Sequence, residues 1–120
     1  MKQSVKTMRL AGLITLGVAI YGTASLASCP GETQFEINQC AAADARRDDA
    51  ELNRVYSKLT KSPELIAAQR AWVAYRDAEC TYERAAEGGG SMASLTESTC
   101  RSNRTKERIK LLKEDAANGG

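Results

Sequence analysis

Four cysteines limit this chain more than any other feature. Cys29, Cys40, Cys80 and Cys100 are the full set. All four follow an N-terminal segment built like a secretory signal peptide. Lys2, Lys6 and Arg9 charge its start, a mostly apolar run occupies residues 10–21, and the small-residue stretch GTASLAS comes next. The apolar run is about 12 residues, too short for a bilayer core that needs ~20. Residues 1–27 are therefore expected to be a cleaved signal peptide, and no second apolar run suggests a membrane span. An even number of cysteines in a short exported chain reads as two disulfides. A domain of ~90 residues has a limited core, so each cross-link, at ~2–4 kcal/mol, would matter to its stability.

Charge and ligand chemistry narrow the function classes. Without Lys2, Lys6 and Arg9 the 17 basic residues fall to 14 against 15 acidic ones, a net charge of about −1. A near-neutral mature chain gives no compositional support to nucleic-acid binding, which needs a basic face. No cysteine pair has CxxC spacing and the chain has no histidine, so neither a metal nor another cofactor is expected. The missing histidine also removes the usual general base. No serine or cysteine nucleophile has a recognisable partner, and the chain reads as a non-enzyme.

Helical periodicity covers most of what remains. Thr33-Gln34-Phe35-Glu36 fits a capping box and predicts a helix start. Ile37, Cys40, Ala41, Ala45, Leu52, Val55, Tyr56 and Leu59 then recur at steps near three and four, giving one apolar stripe. Ser62-Pro63 supplies an N-cap and a first-position proline for a second helix. Its inner face is Leu65, Ile66, Gln69, Trp72, Val73, Arg76 and Cys80. Gly88-Gly89-Gly90 must stop it, because glycine strongly favours the unfolded chain. Ser94-Leu95-Thr96-Glu97 is a second capping-box pattern, predicting a third helix to about Lys113 with Cys100, Ile109, Leu111 and Leu112. Nothing alternates like a strand. The fold class is all-α: a small three-helix bundle, up-down-up, over residues 28–113, with residues 114–120 as a flexible tail.

This layout gathers the thiols. Cys80 and Cys100 each lie ten residues from Gly90, so an antiparallel hairpin brings them level. Cys29 precedes the first helix by four residues, enough to fold back about 13 Å along it towards Cys40. Cys29–Cys40 with Cys80–Cys100 is the preferred pairing; the other two connectivities stay open.

The segments TQFEINQC, DDAELNRVYSKL, AAQRAWVAYRDAECTYE and GGGSM, then a cysteine followed by R-x-x-x-I-x-x-L, resemble the LprI-like lysozyme-inhibitor family. The similarity runs from about Cys29 to Leu112. QRAWVAYRDAEC, which includes Gln69, Arg70, Trp72, Arg76 and Asp77, is its most specific block. Two departures stand out: the TKSPEL connection is short for the family, and Asn103-Arg104 is polar where the family tends to be apolar. The resemblance implies an exported inhibitor whose partner is a lysozyme-type muramidase. The alternative from another class is an envelope adaptor or structural protein that leaves lysozyme untouched.

The resemblance also bears on Cys29, a position where the family usually has a cysteine. Leu26-Ala27-Ser28-Cys29 satisfies the lipobox pattern, and some family members are described as lipoproteins, so a membrane-anchored protein is the alternative to a periplasmic or secreted one. Lipidation would consume the Cys29 sulfur and strand one of the three remaining thiols. Cleavage after Ala27 leaves two complete disulfides and is preferred.

Arg76 on an inner face is expected to pair with a helix-one carboxylate such as Asp44, Asp48 or Glu51, since a buried charge must be paired. Gln69 is expected to satisfy a neighbouring helix, and Trp72 to anchor the core. The stretch EGGGSMAS is longer than a helix–helix turn requires. With Tyr82 and Glu83 leading into it, it reads as a protruding partner-binding element. Glu83 and Glu87 would steer a basic partner, while Gly89, Gly90 and Ser91 would offer backbone and hydroxyl donors. A helix-face interface through Tyr75 and Tyr82 is the other expectation.

Overall fold

The computed structural model describes residues 29–119; the expected signal peptide and Gly120 lie outside the described residues. Three helices follow in order, α1 (Gln34–Ser57), α2 (Pro63–Ala86) and α3 (Gly90–Ala117). Among the described residues there is no strand, in keeping with the lack of alternation. The first two predicted N-termini form. The Thr33 hydroxyl accepts from the Glu36 N–H at 3.2 Å, and the Glu36 carboxylate accepts from the Thr33 N–H at 3.1 Å. Ser62 Oγ accepts from the Leu65 N–H at 3.1 Å, with Pro63 opening the helix.

α3 departs from expectation at both ends. It starts at Gly90, not at Ser94, and it runs to Ala117, four residues past Lys113. Gly89 makes the early start feasible. Its φ of 100° and ψ of −171° fall in a region that only glycine enters readily, so the chain reverses within Glu87-Gly88-Gly89. The Ser94 pattern therefore lies inside the helix, where Glu97 pairs with Arg84 and Arg101 instead of capping. At the other end Glu114 lies 3.8 Å from Lys110, one turn back.

α3 is the spine. Both other helices pack against it, while the backbones of α1 and α2 do not meet. α1 runs parallel to it, since Asn38 reaches Ser91 near the starts and Glu51 reaches Lys113 towards the ends. α2 runs antiparallel, with Cys80 opposite Cys100 and Gln69 opposite Arg108. This is the up-down-up order.

Two kinds of interior occupy the two poles. Where α1 ends, α2 begins and α3 ends, Leu52, Val55, Ile109 and Leu112 form an apolar cluster, with Tyr56, Leu59, Leu65 and Trp72 packed on it. Burying each of those side chains is worth about 1.5–3 kcal/mol. Leu111, expected to face inward, is half exposed. Adjacent helical residues are ~100° apart, so Leu111 cannot share the direction of Leu112. At the opposite pole the buried residues are Ala41, Cys80, Ala93 and Cys100. Little apolar volume lies there, and covalent bonds take over: Cys29–Cys40 and Cys80–Cys100, each with Cα atoms 5.5 Å apart. The preferred connectivity is the one found, and no free cysteine remains. With Cys29 Sγ in a disulfide, that sulfur is not available for a thioether to lipid.

Candidate functional site at the disulfide-stapled pole

Between the poles lies a polar layer made from the block QRAWVAYRDAEC. The Arg76 side chain is only 7% exposed. Its guanidinium donates to Asp49 at 2.5 Å, to the Thr105 hydroxyl at 3.1 Å and to Asp77 at 3.0 Å. Arg101 donates to the same Asp77 oxygen at 2.7 Å. The helix-one partner is thus Asp49 and not Asp44, Asp48 or Glu51. One residue turns a helix by ~100°; Asp49 points at α2, whereas its neighbour Asp48 turns to α3 and accepts from the Ser102 hydroxyl. Asp44 pairs with Arg47, and Glu51 with Arg54 and Lys113.

Gln69 does satisfy a neighbouring helix, accepting from Arg108 Nε at 2.9 Å. Trp72 is half-buried and packs against the apolar cluster. Arg76 lies 5.1 Å from its ring on one side and Arg108 lies 5.8 Å from it, so it joins the charged layer to the apolar cluster through its π face. Arg70, from the same block, is exposed and enters none of these pairs. Arg104, polar where the family tends to be apolar, makes a two-pronged contact with Glu79 at 2.7 and 3.0 Å. Among the described residues every buried side-chain nitrogen and oxygen has a partner. The layer spends its polarity on joining three helices, which is a structural use.

The stapled pole is built differently. Asn38 Nδ2 donates to the Ser91 carbonyl at 2.8 Å, tying the start of α1 to the start of α3. Arg84 pairs with Glu97, and the Thr96 hydroxyl donates to Glu87 at 3.1 Å, tying α2 to α3. EGGGSMAS is consequently no free projection. Ser91-Met92-Ala93-Ser94 lies in the first turns of α3, and the turn proper is Glu87-Gly88-Gly89. Gly89, Gly90, Ser91, Tyr82 and Glu87 are nevertheless exposed, and Glu83 is partly so. They share one end of the bundle, where α2 finishes and α3 begins.

Electrostatics concentrates there too. Residues 29–43 and 78–99 hold Glu32, Glu36, Glu79, Glu83, Glu87 and Glu97, with Arg84 as the sole basic residue. Backbone N–H groups of Thr33 and Glu32 hold the Glu36 carboxyl below its ordinary pKa, and the Arg84 guanidinium does the same for Glu97. Hydrogen bonding to Glu79 raises the Tyr75 phenol. Both shifts keep the Glu36 and Glu97 carboxylates charged at neutral pH.

Cys29, Cys40 and Asp44 place two sulfurs and a carboxylate within ligand reach of one another. Both sulfurs are bonded to each other, so the Cys29 sulfur 3.4 Å from Asp44 neither donates a proton nor ligates.

Sequence reasoning missed two residues at this pole. Phe35 and Met92 are exposed large apolar side chains near the starts of α1 and α3. Phe35 lies off the apolar stripe of α1, which was the signal for it. Met92 followed three glycines and a serine, and its place became visible only once the helix was seen to begin at Gly90.

An uncharacterized protein of Rhizobium meliloti (strain 1021) is 33% identical over 101 aligned positions, covering 68% of this chain and 73% of that one. No solved structure matches significantly. Residues 26–112 match the family model described as "Lysozyme inhibitor LprI". That span takes in both disulfides, the polar layer and the apolar cluster, and the chain belongs to the LprI lysozyme-inhibitor family.

Proposed function

We propose that the protein is an exported inhibitor that binds a lysozyme-type muramidase and blocks cell-wall hydrolysis. The observation that carries this reading is the family match over residues 26–112. The disulfides support it, because such bonds persist in oxidising compartments outside the cytosol, where a muramidase meets the wall. Among the described residues no helix is long and apolar enough to cross a membrane. The charge distribution supports it as well. Muramidases of the c-type are strongly basic and hold their two carboxylates in an open cleft; an acidic end would steer such an enzyme by long-range attraction.

The test is direct. Purified mature protein, with its disulfides confirmed by mass spectrometry, is mixed with a c-type lysozyme and fluorescently labelled cell wall. Slowed hydrolysis at micromolar protein is expected. Undiminished hydrolysis would overturn the reading for that enzyme class and leave the envelope-adaptor role as the better one.

A further inference from the structure

We infer that the stapled pole is the surface that docks the muramidase, with Phe35, Tyr82 and Met92 as apolar anchors inside a carboxylate rim. The inference rests on the proposed function and gives it a location. Five large apolar side chains are exposed among the described residues, and three of them, Phe35 at 69%, Tyr82 at 74% and Met92 at 48%, belong to this end of the molecule. They come from three different helices. The hydrogen bond from Asn38 to the Ser91 carbonyl brings the starts of α1 and α3 together; Phe35 lies one helical turn from Asn38, and Met92 follows Ser91. Tyr82 sits half a turn past Cys80, whose disulfide to Cys100 fixes α2 against α3.

Aromatic side chains and methionine are enriched at the centres of protein interfaces, and a charged rim sets approach and specificity. This pole has both. Glu32 and Glu83 enter no ion pair among the described residues, so their charge is directed at solvent. With Arg84 and the Arg101 and Arg104 guanidiniums that reach Glu97 and Glu79, the end has six carboxylates against three guanidiniums; that negative excess is complementary to a strongly basic enzyme and unsuited to an acidic one. The opposite pole lacks that character. Residues 50–67 and 105–119 carry seven basic and five acidic residues, a positive excess that would repel such a partner. Rigidity adds to the case: the Cys80–Cys100 bond and the glycine reversal hold α2 to α3, and the Asn38–Ser91 hydrogen bond ties α1 to α3 before binding, so little entropy is lost on docking.

The experiment compares wild type with Phe35→Ala/Tyr82→Ala/Met92→Ala, with Glu32→Lys/Glu83→Lys, and with two far-pole controls, Leu111→Ala and Glu64→Lys. Circular dichroism melting and thiol titration first confirm that each is folded and fully oxidised. Binding to c-type lysozyme is measured by calorimetry, and inhibition on labelled cell wall. The triple variant should weaken binding by about a hundredfold or more, as the loss of interface anchors does. The charge-reversed variant should mainly slow association and flatten its dependence on salt. The controls should behave as wild type. A triple variant that binds and inhibits like wild type overturns the surface while leaving the function standing. Controls that lose as much as the triple variant do the same. Wild-type protein that neither binds nor slows the enzyme overturns both.

Discussion

The two poles of the bundle do the same mechanical task by different means. At the far pole Leu52, Val55, Ile109 and Leu112 are buried against one another, and water exclusion holds the helices. At the stapled pole the buried residues are two alanines and two cysteines, and the Cys80–Cys100 bond clasps α2 to α3 while Cys29–Cys40 fastens the leading segment to α1. An end fastened covalently does not need its large apolar side chains inside. Phe35, Tyr82 and Met92 are thereby released to the surface, where a monomer otherwise gains little from them. The division of labour lets one small domain keep a core and still offer apolar contact area to a partner.

Breaking the covalent side should produce the largest effect. The Cys80–Cys100 loop spans 20 residues and the Cys29–Cys40 loop spans 11, so chain entropy alone assigns about 3 kcal/mol to each bond. Cys80 is fully buried, and a serine there adds the cost of a desolvated hydroxyl, about 1 kcal/mol or more. Cys80→Ser/Cys100→Ser should therefore lose about 4 kcal/mol in urea unfolding and exceed Cys29→Ser/Cys40→Ser, whose sulfurs are only partly buried. The reverse ranking would mean that the N-terminal tether, and not the α2–α3 clasp, fastens this pole.

Next in size is the apolar side. Leu112 is 1% exposed, and Leu112→Ala should cost about 3 kcal/mol from lost burial and the cavity left behind. Inhibition by the surviving folded fraction should be unchanged. A variant that unfolds normally but no longer inhibits would move the binding surface to the far pole.

A smaller loss is expected between the poles. Arg76→Met removes the donor to Thr105 and Asp49 but keeps much of the volume, and Asp77 retains Arg101. The expected cost is about 1–2 kcal/mol, seen as a lower melting temperature with inhibition intact. Equal stability with lost inhibition would place Arg76 in the interface.

Acid separates the poles most gently. Hydrogen bonds from Arg54 and then Lys113 hold the Glu51 carboxyl at about 2, below the ordinary 4.5. A depressed carboxylate pKa means that the folded form binds fewer protons than the unfolded one in that interval. Its stabilisation is present above pH 4.5 and is lost as pH falls through about 2. Wild type should melt above Glu51→Gln at pH 6, and the two curves should converge near pH 2. Curves that stay parallel would show that the Glu51 bridge to Lys113 contributes nothing to joining α1 and α3.

Local signals were the legible part of the fold. The capping box at Thr33, the N-cap at Ser62, the two apolar stripes and the glycine stop each act within a few residues, so they survive reading in one dimension. Misreadings arose where geometry between helices decides. Ser94 looked like a cap because its spacing is right, yet Gly89 had already turned the chain. Asp49 differs from Asp48 only by the ~100° that separates neighbours on a helix, and no spacing rule selects between them without the position of α2. The small polar interior of α3, Ser102 and Thr105, was invisible because hydroxyls ordinarily mark surfaces; here they sit on a spine flanked by two helices, where larger side chains would keep α1 and α2 apart. Of the candidate site, the Tyr82–Ser91 region was legible as excess glycine and acid, while Phe35 was missed because only the packing of α1 on α3 brings the start of α1 level with Ser91.

The pairing of the cysteines has a further consequence for how the chain is made. First joins second and third joins fourth, so no bond has to wait across another. An oxidase that couples thiols in chain order would reach the native arrangement directly, with no shuffling by an isomerase. Maturation of this protein should accordingly depend on the supply of oxidant and be indifferent to the loss of disulfide-rearranging enzymes.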